Sequence, residues 1–205
     1  MKTLEKHFRH SMENFEKDLL VNMIVAPYVQ KATALRGIKR YVGGNQFRHA
    51  LSTYAILIDY HIVDPVLLKA SVIHDVFEDV KCISHDEIRA IDSDGSKVLA
   101  LVLEVTRRKN EAKDDYLKRI LEQGSVNAKI LKCADRISNL TDLHPDIFEK
   151  EFIKNYIAET KKWVVPMAEE VNKDMLFELQ DLIHRRETNL KLIASIWPLK
   201  RNDGD

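Results

Sequence analysis

The chain has 205 residues, 45% of them hydrophobic, enough to bury one substantial core and to predict a single domain. Its 32 Lys and Arg balance 32 Asp and Glu, so the summed charge exerts no long-range pull toward nucleic acid or an anionic membrane. Two cysteines, Cys82 and Cys133, stand outside any Cys-x-x-Cys pair, and the charged N-terminal stretch lacks an apolar signal core. The expectation is a soluble, cytoplasmic protein with no nucleic-acid or membrane partner; oligomeric state stays open.

Six glycines and five prolines punctuate the sequence thinly, which favours long helices over a many-turned β architecture. A first helix is expected from about Leu4 to near Leu35, with Phe8, Met12, Phe15, Leu19 and Met23 as its apolar stripe. A second runs from about Phe47 to Tyr60, and a third from Pro65 through Val80. Ser84 and Glu87 read as a capping box opening a short fourth helix that closes at Asp92-Ser-Asp-Gly-Ser. Helices over Lys97 to Val105, Asp114 to Gln123, Ser125 to Leu143, Asp146 to Asn172 and Asp174 to Trp197 complete the set. Asp92, Asp94 and Gly95 do not make a calcium loop, because Ala90 would fall on the first ligand position and Leu101 where a bidentate Glu is required. The domain reading is an N-terminal helical extension over 1–35 packed on the domain, the domain itself over 36–197, and a tail over 198–205.

The chemistry concentrates in Ala70-Ser-Val-Ile-His-Asp-Val-Phe-Glu-Asp-Val80. His74, Asp75, Glu78 and Asp79 interrupt an otherwise apolar helix, and burying them unpaired costs several kcal/mol per charge, so a cation or a wet cleft is wanted beside them. On a continuous helix His74 lies one turn from Glu78, and Asp75 one turn from Asp79. His49, in Phe-Arg-His-Ala-Leu, and Asp135, in Cys-Ala-Asp-Arg-Ile, sit in similarly apolar helical surroundings. Two imidazoles and two carboxylates without thiolate suit Mn²⁺, Fe²⁺ or Zn²⁺ in an open site better than Ca²⁺ or a closed structural zinc. Such a site lowers the pKa of a bound water for attack on phosphorus, and Glu78 and Asp79 are placed to serve that water. Neither a G-x-S-x-G nucleophile turn nor a Walker-type phosphate loop occurs.

The order Arg40, His49, His74-Asp75-Val-Phe-Glu78-Asp79, then Lys132-Cys-Ala-Asp135-Arg136-Ile-Ser-Asn139, resembles the hydrolase domain of RelA/SpoT enzymes and the small alarmone hydrolases of the HD superfamily. Ile157-Ala-Glu-Thr-Lys-Lys-Trp-Val-Val-Pro166-Met-Ala is similar to a later helix of that domain, so the resemblance spans roughly 36 to 170. It implies an all-α, single-domain HD-type bundle with a buried metal site. It further implies an Mn²⁺-dependent pyrophosphohydrolase that takes the 3′-pyrophosphate from guanosine tetra- or pentaphosphate, giving GDP or GTP. By that likeness His49, His74, Asp75 and Asp135 hold the ion, Glu78 and Asp79 are catalytic, and Arg40 and Asn139 bind substrate. A free-standing hydrolase is expected.

Three positions depart from the family pattern: Ala50 stands where a proline usually follows the first histidine, Tyr41 where a lysine is common, and Asp142 where a threonine is frequent. They keep two alternatives open: an HD phosphohydrolase acting on another nucleotide, such as an adenosine alarmone or the 2′-phosphate of NADPH, and a non-catalytic nucleotide-binding relative. Cys133 reads as a small buried hydrophobe. Arg107-Arg108-Lys109 is most simply a solvated basic run that could meet a phosphate tail.

Overall fold

A computed structural model describes residues 25–196. The expected stripe from Phe8 to Met23, Trp197 and the tail lie outside the described residues. Chain order gives α1 (Ala26–Ala32), a 3₁₀ turn (Thr33–Gly37), α2 (Gln46–Asp59), α3 (Pro65–Ser71), α4 (Val76–Asp79), α5 (His85–Arg89) and α6 (Gly95–Val105). Then follow α7 (Lys113–Gln123), α8 (Val126–Thr141), α9 (Lys150–Glu159), a π-helical turn (Thr160–Val164), α10 (Val165–Val171) and α11 (Lys173–Ile196). The only extended pairing among the described residues is an isolated antiparallel bridge between Lys39 and Asn45. It closes a turn in which Gly43 and Gly44 adopt left-handed φ of 91° and 70°, a conformation costly for side-chain-bearing residues.

Local chemistry starts the helices where polar caps occur. The Asn45 side chain accepts from Arg48 N at 3.0 Å to open α2, and Asp64 accepts from Leu67 N at 2.7 Å just before Pro65 opens α3. Both halves of the Ser84/Glu87 capping box form, at 3.2 and 3.1 Å. Gly95 starts α6 hard against α5, for a Cβ there would meet the Arg89 carbonyl at 2.5 Å. Lys69, buried on α3, pairs with Asp92 at 2.8 Å and Asp94 at 2.7 Å, so the acidic turn serves a lysine.

Helix α8 is the centre of the bundle, packing against α2, α6, α10 and α11. Ala128, Leu131, Cys133, Ala134, Ile137 and Leu140 bury its apolar face, and Tyr28, Ala32 and Leu35 close the same core from the N-terminal side. Removing such side chains from water supplies the main drive for assembly.

Two expected helices are corrected. The segment from Pro65 to Val80 is not continuous: α3 ends at Ser71, Val72 to Asp75 form turns, and α4 restarts at Val76. The turn tightens from Ile73, whose N–H donates to the Ala70 carbonyl at 3.1 Å, and His74 Nδ1 donates to the Ser71 carbonyl at 2.7 Å, the acceptor a continuing helix would give to the Asp75 amide. The segment from Asp146 to Asn172 begins only at Lys150 and passes through the π turn before α10. Pro166, lacking an N–H, stands in the first turn of α10, and Thr160 Oγ1 donates to the Tyr156 carbonyl at 2.7 Å.

Candidate metal centre

Three separate elements deliver the four expected ligands to one place. His49 projects from α2, His74 and Asp75 from the turn between α3 and α4, and Asp135 from α8. Donor atoms of His49, His74 and Asp135 all lie within 4.8 Å of one another, and all three residues are buried. His49 Nε2 is 3.0 Å from Asp135 Oδ1, while Asp75 Oδ2 is 3.3 Å from His74 Nε2 and 3.6 Å from His49 Nε2.

The donor chemistry fits a divalent cation. Since His74 Nδ1 must carry a proton to donate to Ser71, Nε2 is the atom left to ligate; it is buried and makes no hydrogen bond. His49 presents Nε2 likewise, with Nδ1 3.0 Å from Ser138 Oγ. Burial disfavours charge on His74, yet Asp75 and Asp135 outweigh it and hold its pKa well above the usual imidazole range. Burial also opposes ionisation of Asp135, but Lys132, His49 and His74 keep it well below the usual carboxylate range. Positive charge is therefore strongly favoured here, as a proton or as a cation that displaces it.

The surrounding contacts hold this set. Lys132 Nζ grips Asp135 Oδ2 at 2.7 Å, leaving Oδ1 toward the imidazoles. Asn139 Nδ2 donates to Asp135 Oδ1 at 2.6 Å and accepts at its own Oδ1 from Arg40 Nη2 at 2.8 Å. Ser138 Oγ donates in turn to Ser52 Oγ at 3.1 Å. Arg136, buried, fixes α8 to the end of α9 through Glu159 at 2.7 Å and Thr160 at 2.9 Å.

Glu78 and Asp79 flank the cluster differently from the two-row arrangement expected on a continuous helix. Glu78 Oε1 accepts from the backbone N–H of Arg107 at 2.8 Å, and Asp79 Oδ2 from Gln46 Nε2 at 2.8 Å. Desolvation raises the pKa of both carboxyls, with partial relief from those donors. A cavity of about 240 Å³ opens on His74, Asp75, Glu78 and Asp135 and is walled further by Arg107, Lys113, Tyr116 and Lys132. A second opening is lined by Arg40, Tyr41, Gln46, Asp79, Asn139 and Phe148. Arg40 and Asn139 thus stand beside the centre, and Tyr41, 78% exposed, leans on the Phe148 ring.

Sequence reasoning missed Lys132, Ser138, Ser71, Gln46 and Arg107 as partners of the site. Lys132 and Ser138 lie three residues either side of Asp135 on one helix, so helical spacing could have found them. Ser71 and Gln46 carry no such signal, and Arg107 stood out only as part of a basic run that could meet a phosphate tail, not as a backbone donor to Glu78.

A helical bundle that buries a His/Asp group of this kind has the all-α HD hydrolase fold. A solved structure described as a metazoan ortholog of SpoT that hydrolyzes ppGpp superposes with a TM-score of 0.67 at 26% identity, covering 78% of this chain and 96% of that one. The chain is 30% identical over 145 residues to the guanosine-3′,5′-bis(diphosphate) 3′-pyrophosphohydrolase MESH1 of Drosophila melanogaster, covering 67% of this chain and 79% of the relative. To the Mus musculus MESH1 it is 31% identical over 135 residues, covering 63% and 73%. No family model matches the chain. The chain belongs to the MESH1 family of HD proteins.

Proposed function

We propose that this chain hydrolyses the 3′-pyrophosphate of guanosine 3′,5′-bis(diphosphate) in a divalent-metal-dependent reaction, with Mn²⁺ as the ion, in the cytoplasm, on a small nucleotide and without nucleic acid or membrane. Among the described residues no helix is long and apolar enough to cross a membrane. The observation that carries the reading is the convergence of His49, His74, Asp75 and Asp135 from three elements, with the buried Nε2 of His74 left without a hydrogen-bond partner.

A divalent cation bound by these four residues supplies Lewis acidity toward a phosphoryl group and its attacking water. Glu78 keeps Oε1 on the Arg107 amide, so Oε2 is the atom available to take the water's proton. Asp79, held by Gln46, orients the same water. The water oxygen joins phosphorus as its proton passes to Glu78, the ester bond to the ribose 3′-oxygen breaks, that oxygen takes up a proton to become the free 3′-hydroxyl, and pyrophosphate is released. Lys132 fixes Asp135 through Oδ2 and lines the cavity, where its charge faces the departing anion. Arg40 and Asn139 form a bonded pair at the second opening, on the side where the nucleoside would lie.

The test is pyrophosphate release from guanosine tetraphosphate by metal-stripped protein, with and without Mn²⁺, beside Asp75→Ala. Release that needs both the ion and Asp75 supports the reading. Stoichiometric Mn²⁺ binding without release would keep the centre and reject the substrate.

A further inference from the structure

We infer that the Tyr41 ring is the surface on which the base of the nucleotide substrate stacks, so that Tyr41 sets the affinity for substrates carrying a purine. The inference rests on the hydrolase reading above and names the contact to the base, which that reading leaves unassigned.

A single exposed aromatic ring is ordinary on a protein surface and by itself marks nothing. Tyr41 differs in where it stands. It lines the second opening, a cavity of about 310 Å³, together with Asp79, Asn139 and Phe148. Asp79 joins that opening to the reacting end of the substrate, while Tyr41, 78% exposed, leaves a ring face free. The amides and the guanidinium that share the opening are turned to the protein. Arg40 is spent on Asn139 at 2.8 Å and Asp142 at 2.6 Å, Asn139 on Asp135 at 2.6 Å, and Gln46 on Asp79 at 2.8 Å. What these side chains leave for a base is chiefly a π face, and a purine, with its fused rings, covers most of such a face.

The ring is held in advance. Its turn is closed by the bridge between Lys39 and Asn45 and by the Gln46 N–H on the Ile38 carbonyl at 2.9 Å. Phe148 supports the ring at a centroid distance of 5.3 Å, and Phe148, Phe152 and Tyr156 continue a ladder onto α9 at spacings of 5.0 and 5.9 Å. The ladder ends at the buried Arg136, whose guanidinium sits 4.2 Å from the Tyr156 ring centroid. A platform fixed in this way loses little freedom when a base settles on it, so more of the contact appears as affinity. Tyr41 stands where the family pattern commonly has a lysine, so the contact belongs to this chain and not to the family at large.

The experiment measures equilibrium binding to the Mn²⁺-loaded full chain carrying Glu78→Gln, a change made outside the second opening to slow turnover. The probes are guanosine 3′,5′-bis(diphosphate) and its base-free counterpart, the same ribose and phosphates with hydrogen in place of guanine. Loss of one stacked base predicts about tenfold weaker binding of the first probe by Tyr41→Ala and unchanged binding of the second, with Tyr41→Phe keeping most of the affinity. In Tyr41→Trp the first probe should quench emission beyond what the parent's Trp163 and Trp197 show, and the second should not. Equal losses on both probes, no loss on either, no added quenching, or no binding of the first probe to protein that retains Tyr41 would overturn the inference. Pyrophosphate release by the unmutated protein is scored separately. If it is absent while the base-selective loss is present, the activity assignment fails and the Tyr41 contact stands; release without that selective loss has the opposite meaning.

Discussion

Asp142 Oδ2 accepts from Arg40 Nη1 at 2.6 Å, joining residues 102 positions apart at the rim of the site. With Asn139 on the other arm, the Arg40 fork is fully engaged and its side chain is only 15% exposed. The acidic residue that the sequence sets where a threonine is frequent therefore neutralises a cation. Asp142→Asn should unmask that charge, lowering KM for an anionic nucleotide about threefold at low ionic strength, with the gain shrinking as salt rises. Steady-state kinetics at two salt concentrations read it. A KM independent of both substitution and salt would remove Arg40 from the substrate path.

Ser138 ties His49 to Ser52 through two hydroxyl hydrogen bonds and is itself buried. Ser138→Ala releases the imidazole from its orienting partner, so metal affinity should fall about 10–100-fold. Ser138→Thr, which keeps the hydroxyl, should retain most of it. Calorimetric titration with Mn²⁺ distinguishes this from a general loss of fold, which circular dichroism would report.

Glu78→Gln with Asp79→Asn should cut turnover about 10²–10⁴-fold while Mn²⁺ stoichiometry stays intact. Because desolvation raises both carboxyls, the acid limb of the rate profile should be displaced upward from that of a solvent-exposed carboxylate. The linkage has a definite sign. The folded chain binds these protons more tightly than the unfolded chain, so their contribution to stability grows as pH falls and is unfavourable above the raised values. The double variant should consequently melt higher than the parent near neutrality, with the advantage vanishing in acid. Thermal melts across pH measure it, and unchanged turnover would discard the assigned roles.

The cysteines should separate cleanly in a thiol assay. Cys82 is exposed, whereas Cys133 is buried in α8 and its thiol is pushed up to about 12, chiefly by burial. Native protein should react at one thiol and denatured protein at both. Two fast-reacting native thiols would show that α8 does not pack as described.

The parts of the fold that were legible are those written in local chemistry. The Ser84/Glu87 box formed as read, and α2, α6, α7 and α8 fall within about two residues of the expected bounds. The break at His74 was not legible, because there the Ser71 carbonyl is taken by an imidazole, and hydrophobic periodicity carries no trace of such a contact. For the same reason Glu78 was expected in a row with His74, while the structure ties it to Arg107 across 29 residues. Of the candidate site, the two histidines and two aspartates stood out as charges in apolar helices, and the structure brings all four together. Their supports did not stand out, since a serine, a glutamine or a backbone amide becomes a partner only once distant segments have docked.

The pairing of His49 with Asp135 closes a stretch of 86 residues. Contacts this distant in sequence are entropically slow to form, so the centre cannot exist in a partly assembled chain that has made only its local helices. An ion that binds there acts as a cross-link between the second helix, the α3–α4 turn and the central helix, and chelation should loosen all three together. Binding of an ion there would thus report that these three elements, drawn from residues 49 to 135, have docked on one another.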